Sequence, residues 1–318
     1  MSSGRQKSAR YVALSVMSGA LVATQGRMNG GLAERIGSAP LAALYSFGSG
    51  LIILSVFMVF SRSMLDGVKR LPASVRRGGL NGWQLFAGLA GAVFVWTQST
   101  VVPEIGVAAF LVGVTAGISS GSLLVDRIGV SAMGVQAITL QRVVAAGIAV
   151  IAVWLSVLGF AEGWSGVGVL VLLAFSVGVL NAGQQAVNSQ IGKVIGSPLA
   201  ATWLNFVVGT LGLIGLFGLV GVVSGGAGVA LRGWAASDLW LLFGGVAGVG
   251  FIVTSIISVR RLGVLVFSLF LIVGQMLVAL LLDLVFPTGG SFVNLYLIAA
   301  VALALLAAAI ALPRRTHA

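Results

Sequence analysis

A duplication constrains this chain more than any other feature. Residues 25–50 fall on residues 184–209 at a constant shift of 159, without a gap. Eight of these 26 pairs are identical: Gln25/Gln184, Asn29/Asn188, Ile36/Ile195, Gly37/Gly196, Ser38/Ser197, Ala42/Ala201, Phe47/Phe206 and Gly50/Gly209. A shift of 157 lays residues 83–126 on 240–283, pairing Trp83 with Trp240, Gly91 with Gly248, Phe94 with Phe251 and Thr97 with Thr254. Gly106, Phe110, Gly117 and Asp126 likewise meet Gly263, Phe267, Gly274 and Asp283. A chain this rich in small apolar residues matches itself by chance at roughly one position in ten. One register held over tens of residues therefore marks a duplicated half.

Such a half can only live in a bilayer. Hydrophobic residues make up 58% of the 318 and charged residues 8%, against about 25% charged in soluble domains. The charges cluster and leave long uncharged runs, the pattern of spanning helices. The net charge of +11 comes from residues that flank oily segments, so it reads as membrane orientation and not as a nucleic-acid face. Cysteine is absent and the one histidine is His317, so thiol chemistry, cofactors and metal sites are not expected. Arg5, Lys7 and Arg10 before an apolar run resemble a secretory signal. The same element recurs in mid-chain from Ser165, which favours a retained first helix.

A span needs about 20 residues. The expected spans are 11–33, 40–61, 82–102, 105–125 and 138–160, then 165–187, 198–223, 238–258, 262–286 and 292–312. The chain thus divides into a tail (1–10), a first repeat (11–160), a second repeat (161–312) and a tail (313–318). Segment 62–81 reads as a polar loop, and Ser224–Ser237 as a Gly-rich connection. With a cytoplasmic amino terminus, 15 of the 18 basic residues lie inside and only Arg27, Arg35 and Arg232 outside. Five spans per half is an odd number, so the halves are inverted. Inverted repeats are a common secondary-transporter design, with the substrate site at the repeat interface near the midplane.

The buried-polar inventory is short. Gln25 and Asn29 share one helix face, as do Gln184 and Asn188, and an unpaired amide in hydrocarbon costs several kcal/mol. Those faces point into protein or a wettable cavity, either hydrogen-bonding a substrate at the two ends of one pathway or joining helices. Gln275, which has no counterpart in the first half, is a further cavity residue to consider. Thr97, Thr254, Gln98 and Asn205 read as packing or helix–helix contacts, and Arg142 as a snorkelling side chain. Lacking a mid-span carboxylate, coupling falls to Glu104, Asp126 or Asp283 near the boundaries as gates or proton acceptors, or the protein is a facilitator. Phe94, Trp96, Trp203 and Phe251 offer ring faces for a cation. Gly113, Gly117 and Gly121 form a close-packing ridge, whereas the glycines from Gly209 to Gly221 wind around their helix.

The paired Gln-x-x-x-Asn elements, Gly37-Ser38 with Ser46-Phe47, Gly196-Ser197-Pro198 with Asn205-Phe206, Arg261-Leu262-Gly263, Gly274-Gln275 and the run ending at Asp283 resemble one family. It is the YdcZ-type branch of the drug/metabolite transporter (DMT) superfamily, a family of inner-membrane exporters. The resemblance covers about residues 11–312 and implies an EamA-like, all-α integral membrane protein of ten transmembrane helices. It also implies export as the direction of transport. Gly26-Arg27 becomes Gln185-Ala186 and Gly274-Gln275 becomes Gly117-Ile118, so the two halves are not equivalent.

The expectation is a secondary transporter of a small polar or amphipathic metabolite or drug, working by alternating access, and not an enzyme. Its expected partners are the cargo, the bilayer, H+ as the coupling ion to consider, and a second copy in a homodimer; nucleic acid is not among them. A channel, a lipid flippase and a non-transporting structural subunit stay open as alternatives.

Overall fold

The computed structural model describes residues 2–132, 134–135, 137–159, 166–223, 235–287 and 293–311. His317, Arg232, Arg314, Arg315, most of the Gly-rich connection and the join between the halves lie outside the described residues. Everything described is helical or connecting. The helices are α1 (Ser2–Ile36), α2 (Ala39–Phe60), α3 (Arg62–Arg76), α4 (Gly88–Ile128), α5 (Leu140–Leu158), α6 (Val167–Val194), α7 (Pro198–Val223), α8 (Gly244–Val285) and α9 (Leu295–Ala311). Short 3₁₀ turns, Gly82–Ala87 and Ala236–Phe243, lead into α4 and α8.

The repeated Gly-Ser has a local cause. Gly37 and Gly196 adopt left-handed φ of 65° and 76°, which ends α1 and α6 at no steric cost. The serine then caps the next helix: Ser38 Oγ accepts from the Leu41 amide at 3.4 Å and Ser197 Oγ from the Ala200 amide at 3.2 Å.

Seven segments are long and apolar enough to cross a membrane by length and composition. One of them, Gly82–Ile128, has 47 residues, about 70 Å of helix against a core about 30 Å thick. The packing shows how it fits. Gly79, ahead of α4, lies against Val194 and Gly91, within it, against Gln184, so the chain running into the first part of α4 is antiparallel to α6. Beyond Gly106 the order flips: Gly113 meets Ala174, Gly117 meets Phe175 and Gly121 meets Ala182. The chain reverses at Gly106, whose φ of 82° and ψ of 168° belong to a region open essentially to glycine alone. Helix α8 does the same at Gly263 (φ 80°, ψ 166°). Gly244 and Gly248 descend along Asn29 and Gln25, whereas Gly274 meets Val16 and Phe286 meets Arg27.

The seven segments already count both arms of α8, so the reversal in α4, together with α1 and the 17-residue α9, brings the spans among the described residues to ten. Direction then follows. Helix α1 runs parallel to the first part of α4, with Gly26 against Gln98 and Gly30 against Val102. That part is antiparallel to α6, so the opening helices of the two repeats point opposite ways. The halves are inverted.

Two expectations change. Segment 62–81 is not simply a loop: α3 is amphipathic, burying Met64, Gly67 and Leu71 while its bases face out. Gly67 packs on Ser197 and Ala200, at the start of α7. Residues 2–10 continue α1 as helix. Arg142 does not snorkel: it is 8% exposed and its Nη2 lies 2.6 Å from the Asp126 carboxylate.

Candidate functional site

The halves meet around a cavity whose walls come in matched pairs. Gln25 and Gln184, Phe47 and Phe206, Gly91 and Gly248, Phe94 and Phe251, and Val95 and Ile252 all line it. Asn181 completes the wall, where the first repeat has Val22. The empty space, about 270 Å³, is spread thinly between these side chains and holds little more than water.

Glycine makes the cavity wall possible. A methyl group at Gly91 would collide with the Gln184 amide, and one at Gly248 would lie 2.6 Å from Gln25 Nε2. Gly50 and Gly209 give the same clearance to the rings of Phe206 and Phe47. The conserved register of the duplication therefore encodes a pair of amides and a pair of rings, each seated on a bare backbone from the opposite half.

The expected site residues take different places. Gln25 and Gln184, both under 5% exposed, share the cavity. Asn29 Nδ2 donates to Gln98 Oε1 at 3.1 Å, and Gln98 Nε2 reaches the Val22 carbonyl at 3.5 Å. In the second half Gln184 Nε2 and Asn188 Nδ2 both donate to Asn205 Oδ1, at 2.9 and 3.0 Å. Two donors fix the orientation of the Asn205 amide. Gln98 and Asn205 are thus the helix contacts the sequence suggests, and also the holders of the paired amides. Among the described residues, buried Asn29 Oδ1 and Asn205 Nδ2 have no hydrogen-bond partner, so the amide network of each half keeps an unspent polar atom. Gln275 lies elsewhere: its Nε2 donates to Thr115 Oγ1 at 2.5 Å where α8 crosses α4.

Asp126 and Asp283, equivalent by sequence, are both buried and differ in partner. Asp126 holds Arg142. Asp283 accepts from the amides of Val107 at 3.1 Å and Ala108 at 2.7 Å, capping the helix that starts after Gly106. Glu104 is exposed beside that turn. Of the four aromatics noted in the sequence, Phe94 and Phe251 line the cavity. Trp203 donates to Ser55 Oγ at 3.0 Å, and Trp96 packs on the core.

Sequence reasoning missed Asn181, which accepts from Gln185 on its own helix. The repeat comparison hides it because its counterpart is valine. An amide one turn ahead of Gln184 and Gln185, at the end of the oily run of α6, was the available signal.

Each end of the bundle has its own character. At the Gly106 end an open vestibule of about 1030 Å³ is lined by Arg27, Glu34, Arg35, Asp238, Trp240 and Phe286. There Arg35 pairs with Asp238 at 3.1 Å, and Arg27 stacks on Trp240 while donating to the Phe286 carbonyl. At the other end bases serve the C-terminus of α6. Arg70 reaches the Ile195 carbonyl at 3.3 Å and Arg260 the Gly192 carbonyl at 3.5 Å, where cations complement the helix dipole.

Two inverted five-span halves closing on a shared interior cavity define a multi-pass membrane protein of the transporter type. The chain belongs to the family whose model is described as "Putative inner membrane exporter, YdcZ", matched over residues 10–155 and 169–312. No curated protein matches the chain.

Proposed function

We propose that this protein is a secondary transporter that carries a small polar or amphipathic molecule across the inner membrane by alternating access, in the export direction. The observation that carries the reading is the meeting of Gln25 and Gln184, 159 residues apart, at one cavity between inverted halves. A site shared by two inverted repeats can be exposed to either side by rocking one half against the other. In this reading the narrow cavity is the occluded site, and Asn29 and Asn188 hold the surrounding polar network. The lining offers amide dipoles and ring faces and no charged side chain. That suits a neutral or amphipathic cargo, and an organic cation could rest on the rings.

The orientation proposed puts both termini and the α3 end in the cytoplasm. The basic side chains gathered at that end support it.

The test has two stages. A thermal-shift screen of metabolites on the purified protein identifies a ligand. Counterflow of that ligand in proteoliposomes then separates a carrier, which shows trans-stimulation, from an open pore, which does not.

A further inference from the structure

The two equivalent aspartates are held in different ways, and the difference has a functional reading. Asp126 is locked by a guanidinium: Arg142 lies 2.6 Å away and also donates to the Ala137 carbonyl at 2.6 Å. Its equivalent helix in the second half, α9, contains no basic residue. Asp283 instead gives one oxygen to the amide of Val107 and the other to that of Ala108. These are orphan donors at a helix start, set up by the glycine-only turn at Gly106. A proton placed on either oxygen weakens the bond to the amide that oxygen serves. Formed cap and bound proton therefore oppose each other.

The surroundings leave the exchange to this carboxylate. Helix α1 contributes Arg27, whose Nε is held by the Phe286 carbonyl, and Glu34 lines the vestibule beyond it. Helix α4 contributes Glu104, exposed and three residues before Val107. The turn before α8 contributes Asp238, already paired with Arg35, and α9 has only Tyr296 as a titratable group.

We propose that Asp283 is a proton switch of this carrier, set by the pH at the vestibule. One proton from the vestibule binds one carboxylate oxygen as the amide bond to that oxygen is lost, and returns to the vestibule as the bond re-forms. The Gly106 hairpin is thereby freed in one protonation state and pinned in the other. This rests on the carrier reading, but it can be tested without any cargo.

The experiment is an infrared titration and hydrogen exchange on the full chain in nanodiscs, between about pH 8 and about pH 5. The expected result is a carboxylic-acid band that appears on acidification in the wild type and not in Asp283→Asn. Exchange of peptides over 106–110, corrected for intrinsic rates, should quicken about tenfold over the same range. The Asp126→Asn/Arg142→Gln double variant should keep both responses. Should Asp283→Asn not fold, Asp283→Glu replaces it and should move the band to a glutamic-acid frequency. A wild type without the band, a band unchanged by either variant, or exchange that ignores pH would overturn the proposal. Counterflow would be unaffected by that failure, so the two claims fall separately.

Discussion

Phe47 and Phe206 lie ring against ring, 4.9 Å between centroids and inclined at 36°, although 159 residues separate them. Each is the other's repeat equivalent, so the same residue of the ancestral half meets itself at the interface. Gly50 and Gly209 leave the room for it. Gly50→Ala or Gly209→Ala should push a methyl into the opposing ring and cost about 1–3 kcal/mol through overpacking. Thermal unfolding in detergent measures this, and an unshifted midpoint in both variants would show that the rings are free to move.

The crossings of α1 with α8 and of α4 with α6 are tighter still. A methyl at Gly117 would strike the Phe175 carbonyl, and one at its equivalent Gly274 would strike the Val16 carbonyl. Backbone atoms yield less than side chains, so Gly117→Ala and Gly274→Ala should lower the folded fraction sharply, by about 2 kcal/mol or more. Gly215 and Gly218 face open space, and alanine there should be neutral or add up to about 1 kcal/mol through helix propensity. Parallel thermal melts of the four variants check the contrast.

The Asp126–Arg142 pair is buried on both sides. Removing one partner strands a charge, so Asp126→Asn and Arg142→Gln should each cost about 3–5 kcal/mol. The double variant should cost clearly less than their sum, a coupling read from a double-mutant cycle of unfolding free energies.

In transport, Gln25→Ala and Gln184→Ala should each lower turnover per folded molecule by about 2–10-fold, the worth of a lost hydrogen bond. Asn205→Leu should act like Gln184→Ala without touching the cavity, because it releases both Gln184 and Asn188. Counterflow normalised to folded protein measures both. Lost stability with unchanged turnover would make these amides packing groups only.

Much of this architecture is legible in residue order, and the limits have physical causes. Gln25 and Gln184 stand out because amides are costly in oil and recur at one spacing. The Gly-Ser stop and cap are likewise local, needing only a left-handed turn and a hydroxyl. What stays hidden is what folding brings together. Arg142 looks like a boundary residue until Asp126 arrives from the preceding helix. Helix α3 is obscured by Pro72, its short length and its many bases, since its apolar stripe shows only against α7. Asn181 is masked by the repeat itself. Gln275, which reads as a midplane candidate, finds Thr115 because both sit at a crossing no local pattern reveals.

The inversion of the two halves across the membrane is the central claim, and topology labelling tests it most directly. The chain has no native cysteine, and Glu104 and Arg261, beside the two reversals, are both exposed. An impermeant maleimide applied to intact cells should label Glu104→Cys from outside and reach Arg261→Cys only after permeabilisation. Labelling of both positions from the same side would contradict the account.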